Sequence, residues 1–250
     1  MYPLLFRLGD FSLHTYGVLL AAAFLLAIWV ALREARRQGM DTQQVMDLFF
    51  YVLIAALIGS RVFYVLTNWH EFRDHPIDVV RFWKGGLVFY GGFLCAVVVG
   101  TYYVRKHNLN FPQLADLVAP SIALGQAIGR LGCFSAGCCF GKPTDLPWAC
   151  VFTSPESLAP LGIPLHPTQL YESAATFVIF LALLRMRRRE KFQGKLIWYY
   201  VLFYAGVRFF LEFLRADPRG FLIPEVLSTS QAIAIPLSIL AIAMIWRKKD

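Results

Sequence analysis

The chain reads as an all-α, polytopic membrane protein forming a single domain, 1–250. Three observations predict this. First, 58% of its 250 residues are hydrophobic and 16% are charged, against about 45–50% and about 25% in soluble domains; the mean hydropathy is +0.55. Second, seven apolar stretches approach the roughly 20 residues that a bilayer-crossing helix needs. Third, the basic residues gather in alternate loops. A soluble globule and a disordered chain are excluded. The net charge of +8 would by itself suggest a nucleic-acid partner, but the placement of the charges argues against one.

In order, the expected spans are Tyr16–Leu32, Val45–Leu66, Gly85–Val104, Leu114–Leu131, Leu170–Leu184, Leu196–Leu214 and Gln231–Trp246. The first follows a polar lead-in and lacks a small-residue cleavage site, so it is a span and not a signal peptide. Loops after the odd-numbered spans hold fourteen Lys and Arg, among them Arg33, Arg105, Arg188 and Lys248; the opposite side holds seven. That bias puts the N-terminus outside and the C-terminus in the cytoplasm, and the surplus also suits contact with anionic membrane lipids. The stretch from Gly132 to Pro167, rich in Gly, Pro, Ser and Cys, is expected to be a structured outer loop and not a helix.

Asp47, Arg61, Asp116, Arg130, Glu172, Arg208 and Glu212 fall within or near the spans. Each charge costs about 2.5–3.5 kcal/mol at a bilayer centre, so such residues face a polar interior, pair, and mark candidate sites. Arg208 and Glu212 share a helix face one turn apart. Arg130, in Gly129-Arg130-Leu131-Gly132, is placed for a guanidinium to grip a phosphate at headgroup level. Arg61, Arg130 and Arg208 all lie toward the outer half of the membrane in this topology, and an anionic phospholipid head is the abundant partner there.

Cys95 lies in the third span and suits a packing role. Cys133, Cys138, Cys139 and Cys150 fall in the outer loop. There, one or two disulfides stapling the loop is the leading reading. A zinc site, without paired C-x-x-C knuckles, and a redox-active thiol site are the alternatives.

Several blocks in order carry a family resemblance: His14-Thr15-Tyr16-Gly17; Gly59-Ser60-Arg61 with Tyr64; Gly85-Gly86-Leu87-Val88-Phe89-Tyr90-Gly91-Gly92; Gly129 through Gly141; His166-Pro167-Thr168-Gln169-Leu170-Tyr171-Glu172; and Arg208-Phe209 with Glu212-Phe213 and Arg215. Over essentially its whole length the chain resembles the prolipoprotein diacylglyceryl transferases of the bacterial inner membrane. It looks like a Cys-bearing variant of their signature: Cys133 and Cys138 stand where Asn and Glu are usual, and Tyr90 where His is frequent.

The resemblance implies transfer of the diacylglyceryl group of phosphatidylglycerol to the lipobox cysteine of a preprolipoprotein signal peptide. It implies no metal and no cofactor, and a monomer is expected. Arg130 is then expected to hold the lipid phosphate. Arg208, oriented by Glu212, is expected at the same phosphate or the leaving group. Tyr16 suits a donor to the headgroup or an interfacial tyrosine. Tyr90 is a candidate base only if cations lower its pKa from about 10. His166 has a pKa suited to proton transfer, or simply forms a turn with Pro167. Gln169, Tyr171 and Glu172 are expected to buttress the site, Arg61 to support it, and Gly141 to permit a tight loop.

Two other functions compete. A membrane thiol–disulfide oxidoreductase would use the outer cysteines. A transporter would need repeats and a polar path to both faces, and neither is visible.

Overall fold

The computed structural model describes residues 3–8, 11–73, 76–81, 86–189, 192–216, 221–223 and 227–247. Helices dominate: α1 (Thr15–Arg37), α2 (Thr42–Thr67), α3 (Trp69–Phe72), α4 (Phe89–Lys106), α5 (Phe111–Ala136), α6 (Thr168–Met186), α7 (Leu196–Leu211) and α8 (Thr229–Trp246). Strands are confined to three short antiparallel pairs in the connections: β1 (Leu4–Leu8) with β2 (Phe11–His14), β3 (Cys150–Val151) with β4 (Pro164–Leu165), and β5 (Phe221–Ile223) with β6 (Leu227–Ser228).

Six described helices are long and apolar enough to cross a membrane: α1, α2, α5, α6, α8, and α7 together with the 3-10 turn Glu212–Leu214. They expose large apolar side chains such as Leu25, Ile58, Val178 and Ile239, as lipid-facing helices must. The protein is therefore an all-α, multi-pass membrane protein. The expected third span begins at Gly85, outside the described residues. Its helix, α4, ends on Arg105 and Lys106 and is not among the six. Of the basic residues in the charge count, Lys84, Lys191, Arg219, Lys248 and Lys249 also lie outside the described residues.

Contacts divide the chain into two compact units, residues 32–114 and residues 1–31 with 115–250. In the first, α2 and α4 meet through small residues. A Cβ added to Gly59 would lie 2.6 Å from the Gly91 carbonyl oxygen, and one added to Gly91 the same distance from that of Gly59. Only the missing side chains allow so close an approach. Cys95 packs its thiol against Gly59, which accounts for a small, soft residue there. Asp47 accepts a hydrogen bond from Gln43 Nε2 at 2.8 Å on its own helix.

In the second unit, Ala119 and Ala123 of α5, Ile179, Phe180 and Leu183 of α6, and Leu196 and Tyr200 of α7 form the core, with Val30 of α1 against them. Ser173 Oγ donates to Ala127 O at 2.7 Å and ties α6 to α5. Asp116 has a structural task. Its carboxylate accepts from the backbone N–H groups of Gly194 and, at 3.1 Å, Ile197, so it serves amides that the start of α7 leaves without partners.

Helix α5 continues to Ala136, so Gly132 and Cys133 are helical, contrary to the expected loop boundary. The run Leu131–Ala136 holds one glycine, Gly132, and no proline, and the helix runs through it. The stop comes at Gly137, which adopts φ +76° and donates to Phe134 O, a left-handed cap that favours glycine. Residues 138–167 then form the structured loop. β3 pairs with β4, isolated bridges join Pro143 to Leu165 and Phe152 to Leu161, and Phe152, Ala159 and Leu165 are buried with Phe134 and Phe140 against them.

Candidate active site

Glu172, on the first turns of α6, is the hub. Its side chain is 1% exposed, and a carboxylate so buried requires partners. Oε1 meets Arg130 Nη2 of α5 at 2.9 Å and accepts from Tyr204 OH of α7 at 3.0 Å. Oε2 meets Arg215 Nη1 at 3.6 Å. Arg215 is 3% exposed, Arg130 22%. Arg130 is thus anchored through Nη2 on a side chain that is partly exposed.

Arg208 has a different anchor. Its Nη2 pairs with Glu212 Oε2 at 2.8 Å and donates to Ser230 Oγ of α8 at 3.0 Å. The expected Arg208–Glu212 contact is present, and both side chains are about nine-tenths buried.

The loop beside this cluster is tightly tied. Gly141 bridges to Arg215 and donates its N–H to His166 O at 3.1 Å. A Cβ on Gly141 would lie 2.6 Å from both His166 Cβ and His166 O, so glycine serves close packing there. Tyr171 OH accepts from Trp148 Nε1 at 2.7 Å and lies 3.4 Å from His166 Nδ1. The buried Gln169 donates through Nε2 to Cys138 O at 2.8 Å, and Thr168 Oγ1 donates to Cys139 O at 2.8 Å. The Gln169 side-chain oxygen is buried without a hydrogen-bond partner among the described residues. Tyr16 places its ring over Gly132, where an added Cβ would sit 3.1 Å from Cδ2.

Arg61 and Tyr90 belong to the 32–114 unit. Arg61 donates to the carbonyls of Val79 (2.8 Å), Gly86 (3.0 Å) and Asp78, and lies over the rings of Phe72 and Tyr64. Tyr90, in the first turn of α4, is 68% exposed and stacks edge-on with Phe89.

The disulfide expectation is overturned: all five cysteines are free thiols. Cys133 lies in the last turn of α5, and the reversal through Gly137 and Cys139 (φ +63°) folds Cys138 and Cys139 back onto it. The three sulfurs lie within 4.8 Å of one another and, among the described residues, form the one His/Cys/Asp/Glu group able to hold a metal ion. Arg130 Nη1 donates to Cys139 Sγ at 3.7 Å. Hydrogen bonds from Cys133 and Cys138, together with the charge of Arg215, push the Cys139 thiol below its ordinary pKa. Hydrogen bonding to Cys133 and Cys139, with burial, pushes Cys138 up. Burial also raises Cys150, whose sulfur faces Trp148 O in the loop.

Arg215, Tyr204 and Ser230 are the residues that the site reading of the sequence missed. A signal for two of them existed: Tyr204, Arg208, Glu212 and Arg215 recur at i, i+4, i+8 and i+11, one continuous helical face.

The family model for prolipoprotein diacylglyceryl transferase matches residues 3–247. The phosphatidylglycerol–prolipoprotein diacylglyceryl transferase of Geobacter sulfurreducens is 35% identical over 97% of this chain and 93% of its own length. The protein of the same name from Bacillus velezensis is 35% identical over 98% and 92%, and that of Thermosynechococcus vestitus is 40% identical over 84% and 80%. With a family model spanning nearly every residue and relatives of this identity along almost its full length, the chain belongs to the prolipoprotein diacylglyceryl transferase family.

Proposed function

We propose that the chain transfers the diacylglyceryl group of phosphatidylglycerol to the cysteine thiol of a prolipoprotein lipobox. Family membership and the names of the relatives support the reaction. The observation that carries the site is Arg130: a guanidinium near the end of a candidate span, held through Nη2 by the buried Glu172, on a side chain that is 22% exposed. A fixed, partly open guanidinium is what bidentate phosphate recognition asks for.

In the transfer, the substrate sulfur attacks the glyceryl carbon and the carbon–oxygen bond to phosphate breaks. A thioether forms, and glycerol phosphate leaves with the electron pair and, finally, the thiol proton. Arg130 holds the phosphate and stabilises the charge growing on its oxygen. Arg208, aligned by Glu212 and Ser230, meets the same phosphate or the departing glycerol phosphate. Glu172 and Tyr204 orient Arg130. Gln169, with its side-chain oxygen left over, and Tyr16 donate to or accept from the lipid head; His166 and Tyr171 line the loop side. The arginine field favours the substrate thiolate, which lightens the demand on a base such as His166 or Tyr90. Arg61 supports its own unit through the carbonyls it binds.

The charge bias of the loops supports an outward N-terminus, a cytoplasmic C-terminus and a site at the outer leaflet of the bacterial inner membrane. It also supports α4 as a seventh span. One family model running through residues 3–247 supports a single membrane domain. A thiol–disulfide oxidoreductase finds no support in the relatives, which are transferases by name.

The test incubates purified protein in detergent with phosphatidylglycerol and a lipobox peptide and seeks the diacylglyceryl thioether by mass. The wild type forms it, and Arg130→Ala falls by about 100- to 1,000-fold, the scale of losing one preorganised charge-stabilising donor. Near-full activity in Arg130→Ala overturns the phosphate assignment, and no product from the wild type overturns the reaction.

A further inference from the structure

We infer that Cys133, Cys138 and Cys139 form a three-thiolate site for a soft divalent cation, zinc foremost, beside Arg130. Their sulfurs all lie within 4.8 Å of one another. Zinc bonded at about 2.3 Å to each of three sulfurs would hold them about 3.8 Å apart, a contraction that side-chain rotation alone can supply. Thiolate ligands select zinc and its soft neighbours over magnesium or calcium.

The backbone is prearranged for this. The chain reverses at Gly137 and takes a left-handed conformation at Cys139, φ +63°, a costly one for a residue with a side chain. Two buried side chains of α6 hold the turn from outside: Gln169 Nε2 on Cys138 O and Thr168 Oγ1 on Cys139 O, each at 2.8 Å. Such outer support orients metal ligands and sharpens a site. All three cysteines are partly exposed, so solvent can fill the fourth position that zinc prefers.

The charges fit as well. Binding Zn2+ to three thiols releases their protons and leaves a complex of charge −1. Glu172 serves two guanidiniums, Arg130 and Arg215, an arrangement one positive charge in excess. Arg130 Nη1 already points at Cys139 Sγ, 3.7 Å away. A metal-thiolate centre would accept that bond and hold Arg130 through Nη1 as Glu172 holds it through Nη2. The site is no part of the transfer reaction proposed above.

The test uses the full-length, tag-free protein in detergent, reduced, stripped with chelator and then given Zn2+ or Co2+ alone. Zinc is counted after gel filtration, and Co2+ is followed by its near-ultraviolet thiolate charge-transfer band. The wild type and Cys95→Ser/Cys150→Ser retain about one equivalent, and Cys133→Ser/Cys138→Ser/Cys139→Ser retains under a tenth of that, the scale expected when ligands are lost. A second reading needs no variant: Zn2+ slows alkylation of Cys133, Cys138 and Cys139 in the wild type by about tenfold or more and leaves Cys150 unchanged. Sub-stoichiometric metal with unchanged alkylation overturns the inference. So does metal retained by the triple variant, or a disulfide among the three thiols that persists in the reduced protein.

Discussion

Glu172 occupies a position where one carboxylate holds two guanidiniums, Arg130 through Oε1 and Arg215 through Oε2. Its substitution by Ala would leave Arg215 buried without that counter-charge, which costs about 3–5 kcal/mol when a buried pair is broken. Glu172→Ala should therefore unfold at markedly lower temperature in detergent, and Glu212→Ala, which strips the buried Arg208 of its carboxylate partner, should lose stability as well as turnover. Equal melting temperatures for Glu172→Ala and wild type would refute the hub. Arg130→Lys should remain as inactive as Arg130→Ala, because an ammonium cannot grip Glu172 and a phosphate along two edges. Among the thiols, the lowered pKa of Cys139 and the raised pKa of Cys150 predict opposite pH behaviour in metal-free protein. Thiolate is the reactive form, so as pH falls below 8 Cys150 loses reactivity with iodoacetamide first and Cys139 keeps it. A common pH midpoint for both would contradict the geometry. Arg130, Arg208, Glu172 and Glu212 were legible as single residues because charge inside an apolar run is costly and therefore conspicuous. Arg215 lay beyond the apolar run and carried no such cost in one dimension, although the structure buries it more deeply than Arg208.

Between elements, the decisive contacts are close approaches and caps. Gly91→Ile would drive a side chain into the Gly59 carbonyl and push α2 from α4, an overpacking cost of about 1–3 kcal/mol; Gly100→Ala, where the nearest neighbour is 3.5 Å away, should be nearly neutral. Comparing their melting temperatures checks the claim, and a neutral Gly91→Ile would reject it. Five of the expected spans sit inside helices that qualify as membrane-crossing together with their flanks, and the sixth, Leu196–Leu214, matches exact-length helix and turn combined. Hydrophobic runs report the greasy middle of a helix and not its ends, which is why the apolar pattern stops at Leu131 although α5 continues to Ala136. Asp116 shows the converse: an intramembrane acid that reads as a functional candidate serves the amides of another helix, a task defined only by a partner 78 residues away.

For the whole molecule, the orientation argued from the loops has a direct check. A fluorescent protein fused after Asp250 should light up in the cytoplasm, and a periplasmic-only reporter placed in the loop at Asp145 should be active. The reverse pattern would invert the topology and put the arginines at the wrong leaflet for the proposed reaction. Membrane residence and the helical class follow from composition and run length alone, since hydrocarbon tolerates few ways to satisfy a backbone. The family resemblance likewise lay in ordered short blocks of sequence. Tertiary structure alone decided which arginines meet Glu172 and that Cys133, Cys138 and Cys139 converge. Pairing depends on distances across separate helices and on one left-handed turn, and a linear pattern carries neither.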